Sequence, residues 1–522
     1  MPITGRKAGT AQGVRRKIWS LPQSLETNVL VADLEKVFQV RPEKDLARVR
    51  KWFDTDDWRL YRRNLLLFQE RRQWHLMYQD SEELLAVFSG GKCEMFRNSN
   101  DFPVSRMRTL LEPILAIRAV QPLVTQDTST VCRRILNNDR KTVALVYFED
   151  HIIRETGAVF RSVILEVMRG YDGNFKDISS FFTACGITDE VPPHGALIKG
   201  LHGIGRAPLD YSSRFRVDLL PNMTAREAMV RIYRQLLEAI EHNEQGVVGD
   251  PDTEFLHDFR VAVRRTRSGL GQVKEVLPPD IVEKVKKDFS WLGTITGATR
   301  DLDVFLLERE TYTQRLPEEL RFKLDIFFAD MAKRRTSEQK KLVKYLHAKK
   351  FREMIGHWHA YLHGSDLGGK TRNSERPIAD LAREIISRRY KRVLKRGKSI
   401  RHGSSAEELH RLRIQCKKLR YSLEFFTSLF PAAEIEPAVK QLKKLQDNLG
   451  TFNDLSVQQE VVRQYLSGLR AGSRKSLDLA TALGGLLTDL HHQRQSARKG
   501  FSAKFHHFAG EENLLRYEKL FC

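Results

Sequence analysis

The sequence predicts an α+β protein in which an antiparallel β unit precedes an all-helical unit. Three observations predict it. Residues 25–195 carry short β-branched and aromatic runs broken by turn signals, the chain from Pro221 onward reads as long charged amphipathic stretches, and this second part is similar to itself at an offset of 153 residues. A chain of 522 residues that is 41% hydrophobic has enough apolar material for more than one core.

The chain opens with MPITGRKAGTAQGVRRKIWS, polar and basic with no apolar run behind it, and the expectation over 1–24 is a flexible basic tail. No later stretch approaches the roughly 18 apolar residues of a membrane span, so no membrane partner is expected. Five cysteines (Cys93, Cys132, Cys185, Cys416, Cys522) are scattered without a CxxC pair, which fits a reduced, cytoplasmic setting. Runs such as NLLLFQERRQWHLMYQ, TVALVYFED and VFRSVILEVMRG, separated by NSNDF, NNDRK and GYDGN, read as strands of a unit over 25–205. A linker is expected at 206–220, within RAPLDYSSRFRVDLLPN. The helical unit then covers 221–510, with one repeat at about 221–362 and a second at about 377–510. Capping boxes at Thr224 with Glu227 and at Ser405 with Glu408 mark helix starts, and NEQGVVGDPDT and HGSDLGGKTRNSERP mark loops.

Charge is the first functional signal. The net charge is +22, of which residues 1–200 hold +5 (30 basic, 25 acidic) and residues 201–522 hold +17. An excess of this size attracts polyanions. Within the helical part, residues 256–304 align without gaps on 409–457, with 13 of 49 positions identical. Chance would give about three or four, so the segment is duplicated.

The duplicated helix carries the pattern HxxRxxx(R/K)xxR: His257, Arg260, Arg264 and Arg267 in one copy, His410, Arg413, Lys417 and Arg420 in the other. At about 100° per residue the four heads fall within roughly an 80° arc, forming a basic stripe. Leu256, Phe259, Val263 and Leu270, matched by Leu409, Leu412, Cys416 and Leu423, form an apolar arc beside it. Arginine offers a planar fork that matches phosphate oxygens two at a time, and a histidine beside an anion favours its protonated form, strengthening binding as pH falls. Arg265 and Lys418, next along, and Arg388, Arg392 and Lys395 in SRRYKRVLKRGKSIRH extend the candidate polyanion-binding set. Asp301 and Asp454, each 44 residues beyond its histidine, are placed to orient an arginine or histidine of the stripe, while Asp303 leaves a metal role open.

The strings LHDFRVAVRRTRS, TGATRDLDVF, LHRLRIQCKKLRYSLEFF and LQDNLGTFNDL resemble the CHAD domain, the conserved-histidine α-helical domain, over about residues 216–510. The resemblance implies two pseudo-symmetric four-helix bundles whose basic helices line a cleft that binds inorganic polyphosphate and directs the protein to polyphosphate granules. By position it assigns ligand contacts to His257, Arg260, Arg264, Arg267, His410, Arg413, Lys417 and Arg420, with no catalytic activity. The first part resembles a CYTH domain, an antiparallel barrel or triphosphate tunnel, through KWFDTDDWRLYRRNLLLF, CRRILNNDRKTVALVYFED and ILEVMRGYDGNFKDISSFF. That family's opening ExExK strand, whose glutamates hold a divalent metal, has no counterpart, since ETNVLVADLEK lacks acids at alternating positions. Arg59, Arg62, Arg63, Arg133, Arg134, Glu166 and Arg169 are the candidates to line such a tunnel.

These readings give a polyphosphate-binding, granule-associated adaptor with no cofactor and no catalytic residue, preceded by a degenerate CYTH-like domain. A divalent metal enters only if that domain is active, as a triphosphatase for which the helical unit gathers substrate. Nucleic acid shares the charge logic but lacks the aromatic stacking platforms expected of its binders. No protein partner is implied.

Overall fold

Alternation along the strands sorts the side chains of the first unit onto two faces. In the computed structural model, which describes residues 15–89, 96, 98–401, 403–470 and 472–521, the chain divides into two compact units, Met1–Ser213 and Arg214–Cys522. The first contains β1 (Arg15–Leu21), α1 (Thr27–Val37), β2 (Val40–Pro42), β3 (Leu46–Thr55), β4 (Leu65–Glu70), β5 (Gln73–Tyr78), β6 (Leu84–Ser89), α2 (Arg106–Leu115), β7 (Val120–Leu136), β8 (Thr142–Ile153), β9 (Val159–Val167), α3 (Asp172–Ala184) and α4 (Gly195–His202). The strands form one antiparallel nine-stranded sheet in the order β1-β9-β8-β7-β3-β4-β5-β6, with β2 paired to β7. Val146 and Phe148 of β8 and Val163, Leu165 and Val167 of β9 pack with Leu30, Val31 and Leu34 of α1 and with Phe175, Ile178 and Phe182 of α3. Their neighbours Tyr147, Glu149, His151, Ser162, Ile164 and Glu166 point the other way, into a cavity.

One expectation is corrected here. Part of the expected tail is structured: Arg15–Leu21 is an edge strand whose Trp19 lies opposite Val163 and is 2% exposed, so the KIWSL segment is held by burial of its tryptophan. Residues 1–14 lie outside the described residues. A second difference concerns a segment read only as lacking the ExExK pattern: ETNVLVADLEK makes up most of α1, where Leu30, Val31 and Leu34 recur at helical spacing and all three are buried.

The second unit is helical: α5 (Ala225–Gly249), α6 (Thr253–Gln272), α7 (Pro279–Ile295), α8 (Gly297–Leu307), the short α9 (Arg309–Gln314) and α10 (Glu318–Arg321), α11 (Asp325–Leu346), α12 (Lys349–His363), α13 (Ile378–Ser399), α14 (Ala406–Phe426), α15 (Ala432–Ser467), α16 (Arg474–Phe508) and α17 (Glu511–Phe521). Both capping boxes form, with Thr224 and Ser405 each accepting from the backbone N–H three residues on. At the offset of 153, α5 corresponds to α13, α6 to α14, and α7 with α8 to the single helix α15. The copies differ at Thr296, where α7 ends and α8 begins, while α15 runs through the matching Leu449 unbroken.

The apolar arcs of α6 and α14 lie in one core: Leu256, Phe259, Val263 and Leu270, and Leu409, Leu412, Cys416 and Leu423, are all buried. The expected loop NEQGVVGDPDT is mostly helix, since burial of Asn243 and Val247 carries α5 to Gly249, and the turn is made at Asp250 in the left-handed region (φ 52°). The unit also continues past residue 510. Tyr517 of α17 stacks on Tyr390 at 3.8 Å and Phe521 meets Phe430 edge-on at 4.9 Å, so α17 completes the core of the second repeat.

Candidate functional site

Two contacts hold α6 against α14. Arg265 pairs with Glu424 at 2.8 Å, and Ser422 Oγ donates to Gln272 Oε1 at 3.1 Å inside the core. The packing brings Arg264 of the first stripe within electrostatic reach of Lys417 of the second. Burial pushes the Lys417 ammonium down to about 8, with Arg413 and Arg264 acting in the same direction and Asp454 against it. Neither Arg264 nor Lys417 makes an ion pair or side-chain hydrogen bond among the described residues, and the Arg264 Nε is buried without a partner. Arg264 and Lys417 thus act on each other across the α6–α14 contact without a directly paired carboxylate among the described residues.

The other stripe residues are held differently in the two copies. Arg260 Nη1 donates to the Gly293 carbonyl at 3.0 Å and to Thr296 Oγ1 at 2.6 Å, and Arg267 reaches Ser290 at 3.4 Å. These acceptors are neutral, and the Asp301 carboxylate acts on Arg260 by charge without a direct pair. Burial, with Arg264 beside it, pushes the Arg260 guanidinium down to about 10. In the second copy Arg413 pairs with Asp454 at 3.3 Å and Arg420 with Glu424 at 2.9 Å. Arg413, Lys417, Arg420, Asp447, Thr451 and Asp454 line a groove of about 320 Å³ between α14 and α15.

Each histidine is held from the helix 43 residues on. Arg300 Nη2 donates to His257 Nδ1 at 3.0 Å, and His410 Nδ1 donates to Asn453 Oδ1 at 2.6 Å. Arg300 and Asn453 occupy equivalent positions in the repeat. Asp454 pairs with Arg413, whereas Asp301 acts on Arg260 and Arg300 only by charge, its own carboxyl pushed up by burial. Asp303 is not a metal candidate in this arrangement: it is 1% exposed and accepts from Arg335 at 2.7 Å, and Arg335 also pairs with Asp250.

Five further candidates sit off the stripe. Arg265 is committed to Glu424 and lies over the Phe215 ring at 5.0 Å, so it braces the repeats together. Arg388, Arg392 and Lys395 line a separate groove of about 460 Å³ with Lys391 and Phe521. Lys418 points around α14 toward Arg389, Arg392 and Arg396, and with burial their charges disfavour its proton. Sequence reading passed over Arg300 and Asn453 because they differ between copies, and Arg389 because it holds an apolar helical position beside Ile385, Ile386 and Val393.

In the first unit a cavity of about 700 Å³ lies on the polar face of the sheet. Of the expected tunnel residues only Glu166 reaches it. Arg59 and Arg62 turn onto Asp57, Arg133 pairs with Glu35 and Arg134 with Glu43, and Arg63 and Arg169 are exposed. The cavity is lined instead by Arg16, Arg48, Arg50 and Arg161, and each is paired: Arg16 with Glu166 at 3.2 Å and with Glu82, Arg48 with Glu149 at 2.5 Å, Arg50 with Glu70 at 3.0 Å, Arg161 with Asp150 at 3.3 Å. Alternation in β1 (Arg16, Ile18, Ser20) and β3 (Arg48, Arg50, Trp52) was the readable signal for this face. His151, between Thr128 and Ser162 at 3.0 Å each, is pushed down to about 4 by burial. Glu149 and Glu166 are engaged by arginines, and among the described residues no three His, Cys, Asp or Glu side chains gather to hold a metal, so this donor set does not fit the divalent ion of the CYTH pattern.

Residues 231–463 match the family model described as the CHAD domain. The helical unit contains a CHAD domain. A comparison with curated proteins finds no match. Among solved structures, the chain is similar to the CHAD domain from the plant Ricinus communis (28% identity, TM-score 0.47, 56% of this chain and 95% of that one). It is also similar to PptA from Streptomyces chartreusis (15% identity, TM-score 0.44, 54% of this chain and 99% of that one). A third is the Hippeastrum protein HpAC1, described as having a dominant triphosphatase activity (12% identity, TM-score 0.25, 38% of this chain and 100% of that one). The CHAD match spans α6 and α14, both stripes and both histidines, and no helix among the described residues is long and apolar enough to cross a membrane.

Proposed function

We propose that this protein binds inorganic polyphosphate along the paired α6 and α14 helices and acts as an adaptor at polyphosphate granules. The observation that carries this reading is the pair Arg264 and Lys417, two half-buried cations that act on each other across the contact between the duplicated helices with no carboxylate paired directly to either among the described residues. A buried cation without a partner is costly, and a polyanion lying across the contact supplies the missing charge to both copies at once. Arg260, Arg267, His257, Arg413, Arg420 and His410 flank that point, and the forked geometry of arginine suits phosphate oxygens two at a time. The test is calorimetric binding of long-chain polyphosphate to the full chain, with double-stranded DNA as competitor at equal phosphate concentration. Arg264→Gln with Lys417→Gln should weaken polyphosphate binding at least tenfold. Full affinity in that variant, or equal displacement by DNA, would overturn the reading.

The rival reading, a metal-dependent triphosphatase in the first unit, would need free cations for the phosphates and free carboxylates for the metal. In the 700 Å³ cavity the arginines and glutamates are paired with each other instead, which supports a non-catalytic role for that unit. Absence of orthophosphate release from tripolyphosphate with magnesium or manganese is the expected outcome on the same preparation.

A further inference from the structure

Lys417 and Lys418 are neighbours in sequence, yet their charges answer to two disjoint sets of cations. Arg413, Arg264 and Arg420 act on Lys417, whereas Arg389, Arg392 and Arg396 act on Lys418. The two ammonium groups leave α14 about 100° apart, so the second set lies on a different side of the helix. At its centre is Arg389, only 9% exposed, at a position of α13 where Ile385, Ile386 and Val393 are core residues. Its Nε is buried without a partner. No carboxylate pairs with Arg389, Arg392, Arg396 or Lys418 among the described residues, and the nearby Glu384 is taken by Arg376 at 3.1 Å and Arg388 at 3.5 Å. Burial and the adjacent Arg392 and Arg388 push the Arg389 guanidinium down to about 10.

The duplication supplies a control. At the offset of 153, the counterparts of Arg389, Arg392 and Arg396 are Leu236, Ala239 and Asn243, and the counterpart of Lys418 is Arg265, which is neutralised by Glu424. The fold therefore does not need cations at the three α13 places. The first repeat builds the same corner from Leu236, Ala239, Asn243 and one arginine that a carboxylate neutralises, and the second has put four cations there with no carboxylate paired to them.

We propose that Arg389, Arg392, Arg396 and Lys418 form a second phosphate site, separate from the α6–α14 contact, that takes a run of two or three linked phosphoryl groups. Arg389 and Arg396 are seven residues apart, about 10 Å along the helix axis, a length that such a run fills. Each phosphoryl group brings about one to two negative charges, enough to match four cations over that length, whereas a carboxylate peptide of the same reach brings fewer. Three of the four groups are guanidinium forks suited to phosphate oxygens. The site rests on the polyphosphate reading only for the choice of probe.

The probe is sodium tripolyphosphate, titrated calorimetrically into the full chain without added metal. The wild type should take up two molecules per chain. Arg389→Gln with Lys418→Gln should take up one, as should Arg264→Gln with Lys417→Gln, and the fourfold variant none. Unchanged stoichiometry and affinity in the Arg389/Lys418 variant would overturn the second site while leaving the α6–α14 site standing. Loss of one equivalent there but none in the Arg264/Lys417 variant would support the second site and sink the first. Arg389→Gln removes a repelled, buried cation, so without phosphate it should melt at or above the wild type. A lower Tm would identify Arg389 as a structural residue and overturn its assignment to a site.

Discussion

The guanidinium of Arg300 donates to Nδ1 of His257 across 3.0 Å, so that nitrogen carries the lone pair and the neutral ring carries its hydrogen on Nε2. His410 is the reverse. Its Nδ1 donates to Asn453 at 2.6 Å, and its outward Nε2 donates to an anion only when the ring is cationic. The two histidines of the repeat thus divide a role that the pattern alone assigns to both. Arg300→Gln should cost less polyphosphate affinity in a His257→Ala background than in the wild type, and Asn453→Ala less in a His410→Ala background. Additive losses would contradict these contacts.

Lys417 gives a second, basic-side signature. Its ammonium is lowered from 10.5 to about 8, so below pH 8 it is charged in both the folded and the unfolded chain and its repulsion is present in full. As pH rises from there toward 10.5 the folded chain releases the proton first, and the penalty is relieved. Lys417→Met should therefore melt above the wild type near neutral pH, with the difference shrinking on the alkaline side. A bound polyanion favours the charged form, so binding just above pH 8 should take up a proton in calorimetry across buffers of different ionisation enthalpy, and the methionine variant should not.

Glu424 is shared by Arg265 at 2.8 Å and Arg420 at 2.9 Å. Glu424→Gln leaves both guanidinium groups short of a counter-charge at a half-buried contact between the repeats, which should cost about 1–2 kcal/mol of stability. The same change frees Arg420 toward the groove. A lower Tm together with tighter polyphosphate binding is the expected pair of results, and a loss of both would show that Glu424 holds the site in shape.

Phe259 is fully buried beneath the stripe of α6. Phe259→Ala should destabilise the chain by about 3–5 kcal/mol, measured by urea denaturation, with polyphosphate shifting the midpoint upward in both proteins.

Much of this arrangement could be read from the residues. Periodicity separated Phe259 and Val263 from Arg260 and Arg264 on α6, the capping boxes at Thr224 and Ser405 marked helix starts, and the repeat paired His257 with His410. What escaped depends on partners distant in sequence. Arg265 looks like one more stripe cation until Glu424, 159 residues on, neutralises it. Arg389 looks like a solvated charge until packing buries it. In the first unit, the arginines that line the cavity, Arg48 and Arg50, are ordinary strand alternation until the sheet bends the residues of β8 and β9 toward the same space.

The interruption between α7 and α8 at Thr296 has a consequence for how the two halves age apart. In the first half the stop leaves a hydroxyl and a carbonyl in reach of Arg260. In the second, α15 runs on through Leu449 and offers Arg413 only the carboxylate of Asp454. One arginine is anchored by dipoles, with Asp301 acting on it only by charge; the other is paired directly with its counter-ion. A polyanion laid across both copies would therefore meet Arg260 backed by neutral dipoles and Arg413 backed by a carboxylate, two unequal partners on one duplicated surface.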